Sequence, residues 1–99
     1  MNPTQGTIRS LRDRGDELKS RAARNLDKWG LQTSDTLFIV AGEELGELAR
    51  ALLEAKGGEL GSVVQIREEA LDLGAVCLQI AVLADVVAGP AFERKGSGE

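Results

Sequence analysis

Apolar residues recur along this chain in steps of three and four, the spacing of one face of a helix. Ile8, Leu11, Gly15, Leu18, Ala22, Leu26 and Trp29 form a first such stripe. It predicts a helix over about residues 7–29, stopped by Gly30. LQTSD then reads as a turn in which Thr33 or Ser34 caps the next helix. Leu37, Ala41, Leu45, Leu48 and Leu52 form a second stripe, and predict a helix over 34–56 that ends at Lys56 before the Gly57-Gly58 break. Ser62-Val63-Val64-Gln65 has the S-x-x-Q form of a capping box and opens a third helix, over about 63–88. Gly89-Pro90 forbids its continuation, and residues 91–99 read as a frayed tail. There is no repeat and no strand pattern. The expectation is one all-α domain, a three-helix protomer.

The third helix differs in kind from the other two. From Leu73 to Ala84 only Gln79 is polar. Leu71, Ala75, Leu78 and Val82 line one side, and Leu73, Val76, Ile80 and Leu83 line another. A helix that is apolar all round has to be buried all round. Two helices of the same chain can cover one side, so a second subunit is expected on the rest, giving a homodimer or homotetramer. Gln79 and Asp85 interrupt the run from Leu73 to Ala88, which is therefore expected to be too short and too broken to span a bilayer. With no stretch resembling a signal peptide, a cytoplasmic protein with no membrane partner is expected.

Size and charge sharpen this reading. A chain of 99 residues buries only about 60–65 % of its unfolded surface on folding, so assembly would help it. The net charge of −4 is unevenly spread: residues 7–28 carry +3 and the remainder −7. A general nucleic-acid binder would be basic, so nucleic acid is not expected as a partner. The lone Cys77 allows no internal disulfide and reads as a core thiol. The chain has no histidine, which excludes Ser-His-Asp and Cys-His hydrolases, imidazole zinc sites and the Glu-x-x-His di-iron bundle.

The acidic residues fall in two clusters, GEELGEL with Glu43, Glu44 and Glu47, and REEALDL with Glu68, Glu69 and Asp72. Each puts two carboxylates one turn apart on one helix face. At 100° per residue, Glu44 lies about 60° from the centre of its helix's apolar stripe, bordering the core. A short Gly-rich connection predicts that the second and third helices pack as an antiparallel hairpin. In such a hairpin Glu44 lies level with Asp72 and Glu47 with Glu69, both pairs placing the hinge at Gly58. Four carboxylates then converge. A solvated acidic face would pair its acids with Lys or Arg four residues on, but Leu48, Ala51, Leu73 and Val76 occupy those positions. Unpaired anions near a core repel one another unless a cation neutralises them, and oxygen ligands alone suit Mg²⁺, Mn²⁺ or Ca²⁺.

The double motif E-E-x-x-E then E-x-x-D, with twenty residues between Glu47 and Glu68, resembles that of the MazG-like all-α nucleoside triphosphate pyrophosphohydrolases. Lys28-Trp29-Gly30 and EELGELARALLE are also similar to the small members of that family. The resemblance covers roughly residues 20–85. It implies a helical dimer or tetramer, with Mg²⁺ (or Mn²⁺) held by Glu44, Glu47, Glu69 and Asp72. It also implies cleavage of an NTP or dNTP to the monophosphate and pyrophosphate, as nucleotide-pool housekeeping. Phosphoribosyl-ATP pyrophosphohydrolases and all-α dUTP and dCTP pyrophosphatases share the motif, so the substrate's identity does not carry over. Glu43 and Glu68, the extra acids, would orient or deprotonate the attacking water. Many members continue into a fourth helix with phosphate- or base-binding groups, whereas this sequence ends soon after Gly89-Pro90. Candidate phosphate ligands are therefore Arg12, Lys19, Arg21 and Lys28 on the first helix (with Arg14 beside them), and Arg94 and Lys95 beyond the third. Trp29 would stack on a base or anchor the core. The missing helix also leaves open a non-catalytic metal- and nucleotide-binding dimerisation module.

Overall fold

The computed structural model describes residues 3–56 and 60–97, with side chains over 3–56 and 63–89. It is all-helical: α1 Pro3–Trp29, α2 Ser34–Ala55 and α3 Leu60–Ser97, with no strand among the described residues. The Gly57-Gly58 hinge lies outside them. α1 starts a turn earlier than its apolar stripe, because Pro3 suits a first helical position, where no N–H is needed. Its end is a left-handed glycine: Gly30 (φ 72°) donates its N–H to the Leu26 carbonyl at 2.8 Å. Thr33, in extended conformation, caps α2 by accepting the Thr36 N–H on its hydroxyl.

α3 corrects the expected boundaries at its far end. Gly89 leaves the helix (φ 60°, ψ −147°), but the chain resumes helical structure as far as Ser97 instead of fraying. Glycine supplies the positive φ, and Pro90 is preorganised to open a new turn. By length and composition the stretch Val63–Gly89 contains an 18-residue window apolar enough to cross a bilayer, with a mean hydropathy of 2.0. Gln79 and Asp85 alone therefore do not take the run below that criterion of length and composition. The core helix of a soluble bundle meets the same criterion.

α3 is the centre of the fold. It packs against both α1 and α2, whereas the Cα atoms of those two never come within 8 Å of each other among the described residues. Gly74 lets α1 approach, since a Cβ there would lie 2.3 Å from Leu18 Cδ1. Among the described residues the buried apolar side chains are Ala22, Leu37, Ala51, Leu71, Ala75 and Val76, three of them alanines, which makes for a thin core. A radius of gyration of 16.4 Å exceeds the roughly 13 Å of a compact chain this long. On α2 the inward row is Leu37, Ala41, Glu44, Leu48, Ala51 and Ala55, while Leu45 and Leu52 are exposed. The face is thus rotated from the leucine-defined stripe toward Glu44, because small Ala51 and Ala55 allow α3 to come close. Cys77 is exposed, not a core thiol; it points away from both flanking helices.

One polar contact is set into this core. Gln79 is 2 % exposed and accepts a hydrogen bond from the Asn25 amide at 2.8 Å. Asn25→Ala leaves a buried acceptor without its donor, at a cost of about 1–3 kcal/mol. Urea denaturation should show that loss, and the double variant Asn25→Leu/Gln79→Leu should recover most of it. Equal midpoints for wild type and Asn25→Ala would show that the pair contributes nothing.

Candidate metal centre

The rotation of α2 brings one row of acids against α3. Carboxylate oxygens of Glu44, Glu47 and Glu69 lie within 4.8 Å of one another. Two ligands facing each other across an Mg²⁺ ion, at about 2.1 Å each, are about 4.2 Å apart, so the set needs little adjustment to hold one. Glu69 is 7 % exposed and Glu44 half-buried, and one oxygen of each, Oε2, is buried with no hydrogen-bond donor. The other Glu69 oxygen accepts from the Gln65 amide. Native proteins rarely bury a carboxylate oxygen unpaired. Two such oxygens side by side, in an all-oxygen donor set, fit a hard divalent cation.

The electrostatics point the same way. Burial raises the Glu44 carboxyl above its usual range, and the charges of Asp72, Glu47, Glu69 and Glu43 raise it further. Burial likewise raises Glu69, the adjacent Glu47 carboxyl raises it further, and the Gln65 amide lowers it by less. Both groups resist ionisation for want of a positive charge.

Asp72 and Glu68 are in a different position. Arg21, with a side chain only 15 % exposed, donates from Nη1 to Asp72 Oδ1 at 2.7 Å and from Nη2 to Glu68 Oε2. It also reaches Glu17 at 3.2 Å and the Glu68 carbonyl at 3.3 Å. The guanidinium holds Glu68 below the usual carboxylate range, and its own pKa is raised. So Glu44, Glu47 and Glu69 come together, Asp72 borders them from the Arg21 side, and Glu68 is turned to Arg21. Glu43 is exposed on α2.

A cleft of about 420 Å³ opens beside the acids, between α1 and α2 with α3 as its floor. Glu44 and Asp72 line it together with Asn25, Trp29, Gln32, Val40, Val76 and Gln79. Trp29 is 61 % exposed, so it is a wall of this cleft and not a core anchor. Lys28 Nζ sits 4.8 Å from the centre of the Trp29 ring. Arg12 lies well up α1 beside Ile8, Arg9 and Asp13, and Lys19 pairs with Asp16 at 3.7 Å. Arg14 pairs with Glu17 at 3.1 Å. The side chains of Arg94 and Lys95 lie outside the described residues. Asn25 and Gln32 were not singled out from the sequence, where nothing distinguishes them from surface amides; Gln65 was read as part of a capping box at Ser62, but α3 already begins at Leu60 and the Gln65 amide donates to Glu69 one turn on instead. Gln79 carried a signal, as the one polar residue in an apolar run. Compared with family models, curated proteins and solved structures, the chain matches none.

These shifts fix a pH dependence. Carboxyls raised in the folded state favour folding at low pH, and that advantage is lost as pH rises above about 4.5 through their raised values. Glu68 acts oppositely, its contribution disappearing as pH falls through its lowered value. Without divalent ions, Glu44→Gln and Glu69→Gln should therefore flatten the decline in melting temperature as pH rises above about 4.5. Millimolar Mg²⁺ should flatten it in wild type and leave the variants unchanged. Identical pH profiles for all three proteins, with or without Mg²⁺, would contradict the site.

Proposed function

We propose that this protein hydrolyses a nucleoside triphosphate, ribo or deoxy, to the monophosphate and pyrophosphate in an Mg²⁺-dependent reaction, with Mn²⁺ able to substitute. The observation that carries the reading is the convergence of Glu44, Glu47 and Glu69, two of them with a buried unpartnered oxygen, at the edge of a cleft walled by an exposed tryptophan. The double-motif resemblance to MazG-like pyrophosphohydrolases supports it. Glu44, Glu47 and Glu69, with Asp72 at their border, would hold the ion. When bound, Mg²⁺ neutralises phosphate oxygens and acidifies a coordinated water.

The chain's own residues account for the rest. By holding the ion, the carboxylates would set where the triphosphate lies, with water attacking the α-phosphorus at the acidic row and pyrophosphate leaving. Of the two extra acids, Glu68 has its charge engaged by Arg21, whereas Glu43 accepts no side-chain hydrogen bond among the described residues and is the better placed to take a proton. Trp29 offers a flat apolar face for a base, and Lys28 beside it a cation for a phosphate. Glu44→Gln and Asp72→Asn should each abolish pyrophosphate release while leaving helical content intact. In ¹⁸O-water the label should enter the monophosphate. Label in the pyrophosphate would overturn α-phosphorus attack, and binding of Mg²⁺–nucleotide without pyrophosphate release would favour the non-catalytic module.

Assembly belongs to the same proposal. We infer an antiparallel α2–α3 hairpin and a homodimer or homotetramer, cytoplasmic and built on α3. Ile80, Val82, Val86 and Val87 are exposed on α3, and the single chain is too flat to cover them. Ile80→Asp puts a charge into that interface and should give monomeric or unfolded protein. A folded wild-type monomer at micromolar concentration in sedimentation would count against assembly through α3.

A further inference from the structure

We propose that Arg21 is a positioning residue for the metal centre: it holds Asp72 out of the ion's shell, so that an ion binding alone meets three glutamates and not four acids. This rests on the metal reading above. Arg21 Nη1 donates to Asp72 Oδ1 at 2.7 Å, while the oxygens that gather within 4.8 Å belong to Glu44, Glu47 and Glu69 only. Asp72 is close enough for its charge to act on Glu44 and lines the same cleft, yet one of its oxygens is already committed.

The commitment is strong for physical reasons. A guanidinium presents several donors in a rigid fork, and here the fork is filled by Glu17, the Glu68 carboxylate, the Glu68 carbonyl and Asp72. The Arg21 side chain is largely buried, so solvent screens these bonds less than at a surface. Arg21 thus divides the acids of α3 into two sets. Glu68 and Asp72 are each paired with a cation within the protein. Glu69, more than nine-tenths buried with an oxygen facing no donor, is not. An entering cation is drawn to the unpaired set, and Asp72 joins only if its bond to Arg21 is released.

The test is a double-mutant cycle on the affinity for Mn²⁺ alone, read by electron paramagnetic resonance of free Mn²⁺ at fixed mildly alkaline pH. Asp72→Asn in wild type should change Mn²⁺ affinity less than about twofold, whereas Asp72→Asn in an Arg21→Gln background should weaken it about tenfold. Arg21→Gln by itself should tighten binding, because it frees Asp72. Arg21→Lys, which keeps the charge without the fork, should fall between the two and covers the case in which Arg21→Gln does not fold. Circular dichroism verifies helicity in each variant. A merely structural Arg21 would weaken Mn²⁺ binding when removed and show additive effects. Either of those results, or a tenfold loss from Asp72→Asn in wild type, would overturn the proposal. If wild type binds no Mn²⁺, or Glu44→Gln leaves binding unchanged, the metal centre itself falls and the role of Arg21 falls with it.

Discussion

The interaction on which this structure turns is unfavourable as it stands: the approach of Glu44, Glu47 and Glu69 between α2 and α3, with two buried oxygens facing no donor. Apolar packing forces it. Leu37, Ala41, Leu48, Ala51 and Ala55 set the face that α2 turns inward, and Glu44 occupies the middle of that row. Moving Glu44 outward would require rotating the helix and exposing Leu37 and Ala51, which are almost completely buried. Burial of apolar area thus holds like charges together that would separate in water, and a like-charge cluster held against solvent is what gives a site affinity for a cation.

Arg21 makes that cluster specific. Without an internal cation, six acids on two adjacent helices would form one diffuse negative field. With it, Glu68 and Asp72 are satisfied from α1 and the unsatisfied charge concentrates on three residues. Among the described residues α1 comes close to α3 along its backbone and not to α2, so it can supply this cation from one side while the cleft between α1 and α2 stays open. The same separation leaves Trp29 and Asn25 as one wall of the cleft and Val40 and Glu44 as the other.

Much of the fold could be read from the sequence because its signals are local. Gly30 and Thr33 act on their own backbone, and the structure has both in that role, whereas Gly89 kinks α3 without ending it. The pairing of the two acidic motifs was also legible, since helical spacing and a short connection bring Glu47 and Glu69 together whatever else happens. What was not legible depends on side chains meeting across helices. The leucines of α2 suggested a face containing Leu45 and Leu52; close packing at Ala51 and Ala55 chose another, and no count of hydrophobicity weighs small residues that way. Arg21 looked like any cation on the edge of a stripe, and only its position over α3 adds Asp72 and Glu68 to the Glu17 of its own helix. Cys77 counted as apolar in a run whose outer side has no neighbour.

That outer side carries the remaining consequence. The six buried apolar residues among those described are a slight core to hold three acids in place, because the entropy of ordering a chain this long is of the order of 100–200 kcal/mol. Ile80, Val82, Val86 and Val87 are apolar area still available for burial on the helix that carries Glu69. If a second subunit covers them, the added burial falls on α3 itself, the element to which both flanking helices attach. Assembly would then stiffen the row of acids without contributing a ligand to it, and the affinity of the site for its ion would depend on protein concentration.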